Sequence, residues 1–176
     1  GYTGELGFEV YLDNKNALAF WNEAVKNGAV PAGLGSRDIL RSEAGLPLYG
    51  DELTEEITPV EAGMEKFIDF EKEFTGKAAL VKQKDGGLEK KLCGFKIDGR
   101  RTPRHSSSIV KNGSAIGTVS SGVFSPHLNC GIGMGYVKPQ FAEIGTVFEI
   151  DLGRGTAAAT VVQMPFLKSE SIRMKL

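Results

Sequence analysis

Residues 108–120 read Ser-Ile-Val-Lys-Asn-Gly-Ser-Ala-Ile-Gly-Thr-Val-Ser, and this stretch indicates the fold of the second half of the chain. Short apolar runs rich in β-branched residues lie on either side of Asn112-Gly113. Asn-Gly readily takes the positive φ angles of a type I′ turn. The stretch therefore predicts two antiparallel strands joined by a tight hairpin.

Similar β-type runs continue on both sides of this hairpin, from Lys90 to near the end of the chain. Regular short strands with glycine turns predict a small antiparallel barrel, with a sandwich as the alternative. We expect the glycines from Gly131 to Gly135 to serve close packing or bulges, because no helix start follows them to make a phosphate loop. The six runs are 92–97, 108–110, 115–120, 131–137, 146–150 and 158–164.

The first 50 residues show a different texture. Residues 7–12 alternate apolar and polar side chains, which predicts a short half-buried strand. Asp13 or Asn14 is expected to cap a helix that ends at Gly28. Its apolar stripe contains Leu18, Trp21 and Val25.

Ser36 is expected to cap a second helix that runs through Ala44 and stops at Gly45. A strand near 66–69 and a short helix over 78–83 should follow, before the breaker 85–87. The sequence thus predicts an α+β protein, a partial α+β domain followed by a C-terminal antiparallel β-barrel. The expected divisions are residues 1–65, a connecting segment 66–89, and the barrel 90–176.

The composition is that of an ordinary globular protein. The 21 lysines and arginines nearly balance the 22 aspartates and glutamates, so nucleic acid is not an expected partner. Apolar runs are too short to span a bilayer, so no membrane is expected either. Cys93 and Cys130 have no metal-type spacing and are expected to be reduced thiols of a bacterial cytosol or a mitochondrial matrix. His105 and His127 offer no ligand cluster, and no metal is expected.

Two sequence strings point beyond the fold. The chain opens with Gly-Tyr-Thr-Gly-Glu at residues 1–5 and continues with Gly-Phe-Glu-Val at 7–10. Residues 33–45 read Gly-Leu-Gly-Ser-Arg-Asp-Ile-Leu-Arg-Ser-Glu-Ala-Gly, followed by Pro-Leu-Tyr-Gly at 47–50. Together they closely resemble the folate-binding T-protein family of the glycine cleavage system, whose members are aminomethyltransferases.

The resemblance implies a set of folate-binding residues. The family's glutamate after Gly-Phe matches Glu9, whose carboxylate could accept two N–H donors on the pterin edge. The arginine of the family's Asp-x-Leu-Arg string matches Arg41, and we expect Arg37 to brace the loop instead. Tyr2 offers a flat face for stacking. In the C-terminal tail, Arg173 is the only candidate for a folate contact.

The resemblance also implies a reaction. In the family, a lipoylated H-protein delivers an aminomethyl group, and the one-carbon unit moves to tetrahydrofolate, the co-substrate, with release of ammonia. The family's catalytic aspartate belongs to the N-terminal half, so we expect this chain to be the C-terminal portion of a longer enzyme. No catalytic residue is assigned within it, and alone it should be inactive.

Two related families remain as alternatives: the folate domain of dimethylglycine or sarcosine dehydrogenases, and a folate-binding protein of iron–sulfur maintenance without transferase activity. The string 44–50 fits the T-protein better than the dehydrogenases. Cys93 and Cys130 do not form the cysteine motif expected of the second alternative.

A folding expectation follows from the two textures. The barrel has its own strands and turns and should fold unaided. The first ~60 residues supply about half of an α+β domain, so we expect them to be frayed or shielded by another copy.

Overall fold

A computed structural model describes residues 1–168 of the chain. Three α-helices come first: Asn14–Lys26 (α1), Leu34–Glu43 (α2) and Lys77–Gly86 (α3). Short 3-10 helices span Glu65–Phe67 and Pro139–Phe141. The strands are Lys91–Ile97 (β1), Ser108–Lys111 (β2), Ser114–Ser125 (β3), Cys130–Val137 (β4), Val147–Asp151 (β5) and Thr156–Val162 (β6).

The six strands form a closed antiparallel barrel in the order β1-β4-β3-β2-β5-β6. The predicted α+β class and the predicted barrel are confirmed, and the sandwich alternative is wrong. The β2–β3 hairpin turns at Asn112 and Gly113, with φ angles of 52° and 75° as the type I′ prediction requires. Closure removes the exposed edges that an open sheet would leave.

The barrel interior is apolar and well packed. Phe95 and Phe148 lie at its centre with their ring centroids 5.6 Å apart in an edge-to-face arrangement. The rest of this core comes from all six strands and consists of Cys93, Ile97, Ile109, Ile116, Val119, Val137, Ile150, Ala157, Ala159 and Val161. Burial raises the pKa of the Cys93 thiol to about 12, so this thiol stays protonated at neutral pH.

The glycines of β4 make room for this core. A Cβ at Gly133 would lie 2.6 Å from the ring of Phe95, and one at Gly135 would lie 2.7 Å from the carbonyl oxygen of Thr118. A Cβ at Gly131 would lie 2.2 Å from the carbonyl oxygen of Arg101. The prediction that these glycines serve close packing is confirmed.

A second apolar cluster covers the outside of the barrel beside α2. Ile132 and Met134 of β4 contribute to it, together with Leu92 of β1, and Ile39 of α2 packs against them. Phe166, beyond the last strand, completes it. Because β1 and β4 are covered on both faces here, α2 is held firmly against the barrel.

The strand predicted over residues 7–12 is wrong. Its side chains are not half-buried, since Phe8 is 86 % and Val10 is 54 % exposed. A strand needs a neighbour to accept and donate its backbone hydrogen bonds, and no strand within residues 1–168 lies beside this segment.

The helix predicted next, α1, is confirmed, but it is solvated on all sides. Asp13 is its N-cap residue, although its side chain caps no backbone N–H. No residue of α1 is buried, and the stripe of Leu18, Trp21 and Val25 stays exposed. The apolar pattern correctly predicted the helix, but no described part of the chain covers its apolar stripe.

Two further predictions need correction. Ser36 is not an N-cap, because α2 begins at Leu34 with Gly33 as its cap. Residues 66–69 do not form a strand, since a 3-10 helix occupies Glu65–Phe67 instead. The stop at Gly45, with φ 64°, and the third helix are confirmed. Across residues 1–168, no helix combines the length and apolar character that crossing a membrane requires.

Candidate functional site

The second half of α2 carries charged side chains into the protein interior. Arg41 and Glu43 are 2 % and 3 % exposed, where α2 meets β3. Charged groups are almost never buried unless they are paired. Their partners therefore define how the helix is attached to the barrel.

The Arg41 guanidinium is surrounded by acceptors of this chain. Its Nε donates to Asp38 at 2.6 Å, and its Nη1 donates to Glu52 at 3.0 Å and to the carbonyl oxygen of Leu46 at 3.4 Å. Its Nη2 donates to the Ser121 hydroxyl at 2.9 Å. Burial alone would lower the pKa of Arg41, but the hydrogen bond to Asp38 and the charge of Glu52 raise it above its ordinary value.

Glu52 is the anionic centre of this arrangement and is fully buried. Besides Arg41, its carboxylate accepts the backbone N–H of Leu48 at 2.9 Å and the hydroxyl of Ser120 at 2.5 Å. The Tyr136 hydroxyl donates to the Glu52 carbonyl oxygen at 2.8 Å, and burial raises the pKa of that phenol. A buried carboxylate with this many donors is a structural anchor.

Ser120 and Ser121 reach this anchor because β3 bulges between Val119 and Ser121. A β-bulge turns successive side chains toward the same side of a sheet. Both serines lie within β3 and not in a turn. Their hydroxyls instead join the barrel to Glu52 and Arg41.

Glu43 makes a second anchor on the same helix. Its carboxylate accepts the Ser125 hydroxyl and lies 3.1 Å from Nδ1 of His127, and its backbone carbonyl accepts the N–H of Leu167 at 3.0 Å. Ser125 and His127 contact the same carboxylate rather than each other, so this is not the relay of a hydrolase triad. It fastens α2 to the β3–β4 turn.

Tyr2 links the first sequence string to the second. Its hydroxyl donates to the carbonyl oxygens of Pro47 and Leu46, the latter at 3.3 Å. Burial raises the pKa of this phenol, which therefore remains a donor. The exposed Arg37 guanidinium lies over the Tyr2 ring, 4.9 Å from its centroid, in a cation–π contact.

Glu9 lies apart from these residues. Its carboxylate is exposed and accepts a hydrogen bond from the Tyr11 hydroxyl at 2.8 Å. Tyr11 is itself 88 % exposed, so this contact lies at the protein surface.

Of the sequence-predicted site residues, the structure brings Tyr2 and Arg41 to one junction and leaves Glu9 outside it. Arg173 lies outside the described residues. Arg41 pairs with Asp38 of its own helix, whereas the nearby Glu43 pairs with His127. Sequence reasoning missed Glu52, although this acidic residue lies two positions after the string 47–50 and could have been considered as a partner for Arg41.

Two further titratable groups, His105 and Asp51, lie close together. His105 has Nδ1 2.7 Å from the carbonyl oxygen of Ser120 and 3.5 Å from a carboxylate oxygen of Asp51. Both line a cleft of about 370 Å³ beside Tyr136. No cluster of three or more histidine, cysteine, aspartate or glutamate side chains suited to a metal ion occurs in residues 1–168.

Comparison with known proteins identifies relatives over almost the whole chain. The aminomethyltransferase of Thermoanaerobacter sp. (strain X514) is 46 % identical over 173 residues, which cover 96 % of this chain and 47 % of that protein. The aminomethyltransferase of Bacillus subtilis (strain 168) is 40 % identical over 174 residues, covering 96 % of this chain and 48 % of that protein. The chain thus spans about half the length of the curated relatives it matches.

A solved structure shares the same fold. The glycine cleavage system aminomethyltransferase T from Bartonella henselae superposes with a TM-score of 0.90 at 33 % identity, covering 96 % of this chain and 48 % of that one. Residues 1–72 match a family model described as the GCVT N-terminal domain. Residues 90–168 match one described as the glycine cleavage T-protein C-terminal barrel domain. The chain therefore belongs to the glycine cleavage T-protein family.

Proposed function

We propose that the chain forms part of a tetrahydrofolate-dependent aminomethyltransferase. In this reaction the aminomethyl group arrives on the lipoyl arm of an H-protein, the one-carbon unit passes to tetrahydrofolate, and ammonia leaves. The observation that carries the proposal is the match of both family models to one chain whose relatives are named aminomethyltransferase. The full reaction requires the longer protein, because this chain spans about half of those relatives.

The proposed folate wall consists of the two sequence strings that the structure joins through Tyr2. The Tyr2 hydroxyl is held by the Leu46–Pro47 backbone, so its ring is fixed in place. Arg37 lies over that ring, and the pair presents a flat surface with a positive charge, suited to a heteroaromatic ligand that carries carboxylates.

Glu9 is proposed to bind the pterin. Its carboxylate has only the Tyr11 hydroxyl as a partner among the described side chains, so its acceptor capacity is largely unused. Two adjacent pterin N–H donors would form a charge-assisted bidentate pair with it. These residues fit folate, although Glu9 must be brought toward Tyr2 for both to touch one molecule.

The two arginines of α2 are proposed to have different roles in folate binding. Four of the five N–H groups of Arg41 already have acceptors within the chain, so this residue orders the wall and keeps one N–H for a direct folate contact. Arg37 offers an exposed guanidinium. We propose no catalytic role for Asp38 or Asp51.

Calorimetric titration of tetrahydrofolate into the full-length protein tests the assignment of Glu9. Glu9→Ala should weaken binding by about 1–3 kcal/mol, because two pterin donors lose their acceptor. Glu9→Gln should lose less, since one oxygen remains as an acceptor. The matched control is Glu23→Ala, which removes an exposed carboxylate from α1. Equal affinities for wild type and both Glu9 variants would refute the assignment.

The arginines are separated by comparing the KM for tetrahydrofolate with the melting temperature. Arg37→Lys should raise the KM and leave the melting temperature unchanged, because an ammonium cannot reproduce a planar fork. Arg41→Lys should lower the melting temperature. If Arg41 also contacts folate directly, losing that contact should raise the KM as well. A changed melting temperature with an unaltered KM would assign Arg41 a structural role alone. Absence of H-protein-dependent ammonia release by the wild type would overturn the proposed reaction.

A further inference from the structure

A cleft of about 740 Å³ lies beside the barrel. It lies between the loop that follows β1, residues 98–107, and the turn between β5 and β6, residues 152–155. Arg101, Arg104 and Arg154 line it, together with Thr102, Leu152 and Gly153. None of the residues proposed to bind folate contributes to its lining.

The charges in this cleft are not balanced by the residues that the structure describes. Within residues 1–168, none of the three guanidinium groups forms an ion pair with a carboxylate, whereas Arg41 forms two. The Arg101 side chain donates from Nη1 to the carbonyl oxygen of Thr156 at 2.9 Å and keeps its remaining N–H groups. Three like charges around one cleft repel one another, and an anion between them would relieve that repulsion.

The loop that carries Arg101 and Arg104 is held in place along its length. The carbonyl oxygen of Gly99 accepts the N–H of Gly131 at 3.0 Å, and the N–H of Ser106 donates to Val119 at 2.9 Å. Between these points Pro103 is fully buried, and its atoms fill the space where Gly122 lacks a Cβ. The backbone beneath the two arginines is therefore fixed before any ligand arrives.

The turn that carries Arg154 is also ordered. The N–H of Leu152 donates to the carbonyl oxygen of Gly155 at 3.0 Å, and Gly153 and Gly155 supply the positive φ angles, 77° and 89°. The carboxylate of Asp151, the acidic group nearest in the chain, accepts the N–H of Gly153 at 2.8 Å and stabilises the turn. The backbone that carries the three arginines is therefore ordered before binding, and only their exposed side chains lose freedom when a ligand binds.

We propose that this cleft binds a small anion that carries two or more adjacent carboxylate or phosphate groups. Each arginine presents a planar fork that matches such a group with paired N–H···O bonds. A monovalent anion would engage one fork and leave the other two unpaired. The site is therefore selective for multivalent anions over chloride.

Calorimetric titration of the full 176-residue chain tests the proposal. Pyrophosphate and tricarballylate serve as the phosphate and carboxylate probes, at one fixed ionic strength set with chloride. At least one should bind, and Arg104→Gln and Arg154→Gln should each weaken it by about tenfold. The matched control is Arg100→Gln, which removes the same charge from a side chain that lies over Phe124, 4.8 Å from its ring centroid, outside the cleft.

Arg154→Gln is the cleaner variant, because Arg154 makes no side-chain hydrogen bond to another described residue and its loss should not disturb the fold. Tighter binding of pyrophosphate would assign the site to phosphates, and tighter binding of tricarballylate would assign it to oligocarboxylates. Absence of binding for both probes would overturn the proposal. An equal loss in Arg100→Gln and Arg154→Gln would overturn it as well, because the effect would then be one of net charge.

Discussion

The barrel and the first 35 residues use similar apolar patterns and reach opposite states. Phe95 in β1 is 0 % exposed, whereas Phe8 in the N-terminal segment is 86 % exposed. The barrel strands cover one another and close, so every apolar residue facing inward finds neighbours within the chain. The helix α1 has a comparable apolar stripe and no buried residue.

The contrast shows what an apolar pattern determines. Periodicity selects the secondary structure and the face that gains from burial. It does not supply the surface that buries that face. In the barrel that surface is contributed by strands close in sequence, whereas no residue of α1 is buried by the described part of the chain.

The largest effect should come from truncating matched phenylalanines in the two regions. Phe95→Ala removes a ring from the barrel centre and should lower the free energy of unfolding by about 4 kcal/mol. Phe8→Ala removes an exposed ring and should change it by less than about 0.5 kcal/mol. Urea unfolding followed by circular dichroism measures both. Similar losses of unfolding free energy for the two variants would show that Phe8 is as well packed as Phe95.

The next effect concerns α2, which connects the exposed segment to the barrel. Arg41→Ala leaves Glu52 buried without its cation and should cost about 3 kcal/mol of unfolding free energy. Arg37 lies four residues before Arg41 and has no bond to Glu52 or Ser121. Arg37→Ala should cost less than about 1 kcal/mol, because only an exposed cation–π contact is lost. If the two variants are equally stable, the Arg41–Glu52 pair does not hold α2 on the barrel.

The smallest effect should be seen in the fluorescence of Trp21, the one tryptophan of the chain. Its side chain on α1 is 55 % exposed, so its emission in the native state should already resemble that of solvated indole. Emission should therefore shift little while circular dichroism reports barrel unfolding. A large red shift that coincides with barrel unfolding would show that α1 is packed in solution.

Local sequence signals predicted the barrel well because its turns and strands carry their own chemistry. Asn112-Gly113 specified the hairpin, and the alternating glycines of β4 matched the bulk of Phe95 across the strand pair. Local signals could not decide whether residues 7–12 form a strand. Its alternation was genuine, but strand formation depends on a partner distant in sequence or outside the chain.

The site was predicted only in part. The strings 1–5 and 33–50 indicated the family and selected Tyr2, Glu9 and Arg41. Sequence did not reveal that Arg41 would be buried against Glu52 and Ser121, because that pairing depends on a β-bulge in a strand 80 residues away. Long-range polar networks leave no periodic pattern, so they become visible only when the elements are packed.

Amide hydrogen exchange on the monomeric 176-residue chain tests the central claim most directly, that the barrel stands alone and the N-terminal segment does not. Amides of β1 to β6 should exchange only through global unfolding, and residues 38–43 of α2 should follow them because their side chains are anchored to β3. Amides of residues 7–26 should exchange much faster, through local opening of α1 and of the segment before it. Strong, uniform protection from residue 10 to residue 48, equal to that of the barrel strands, would contradict the account.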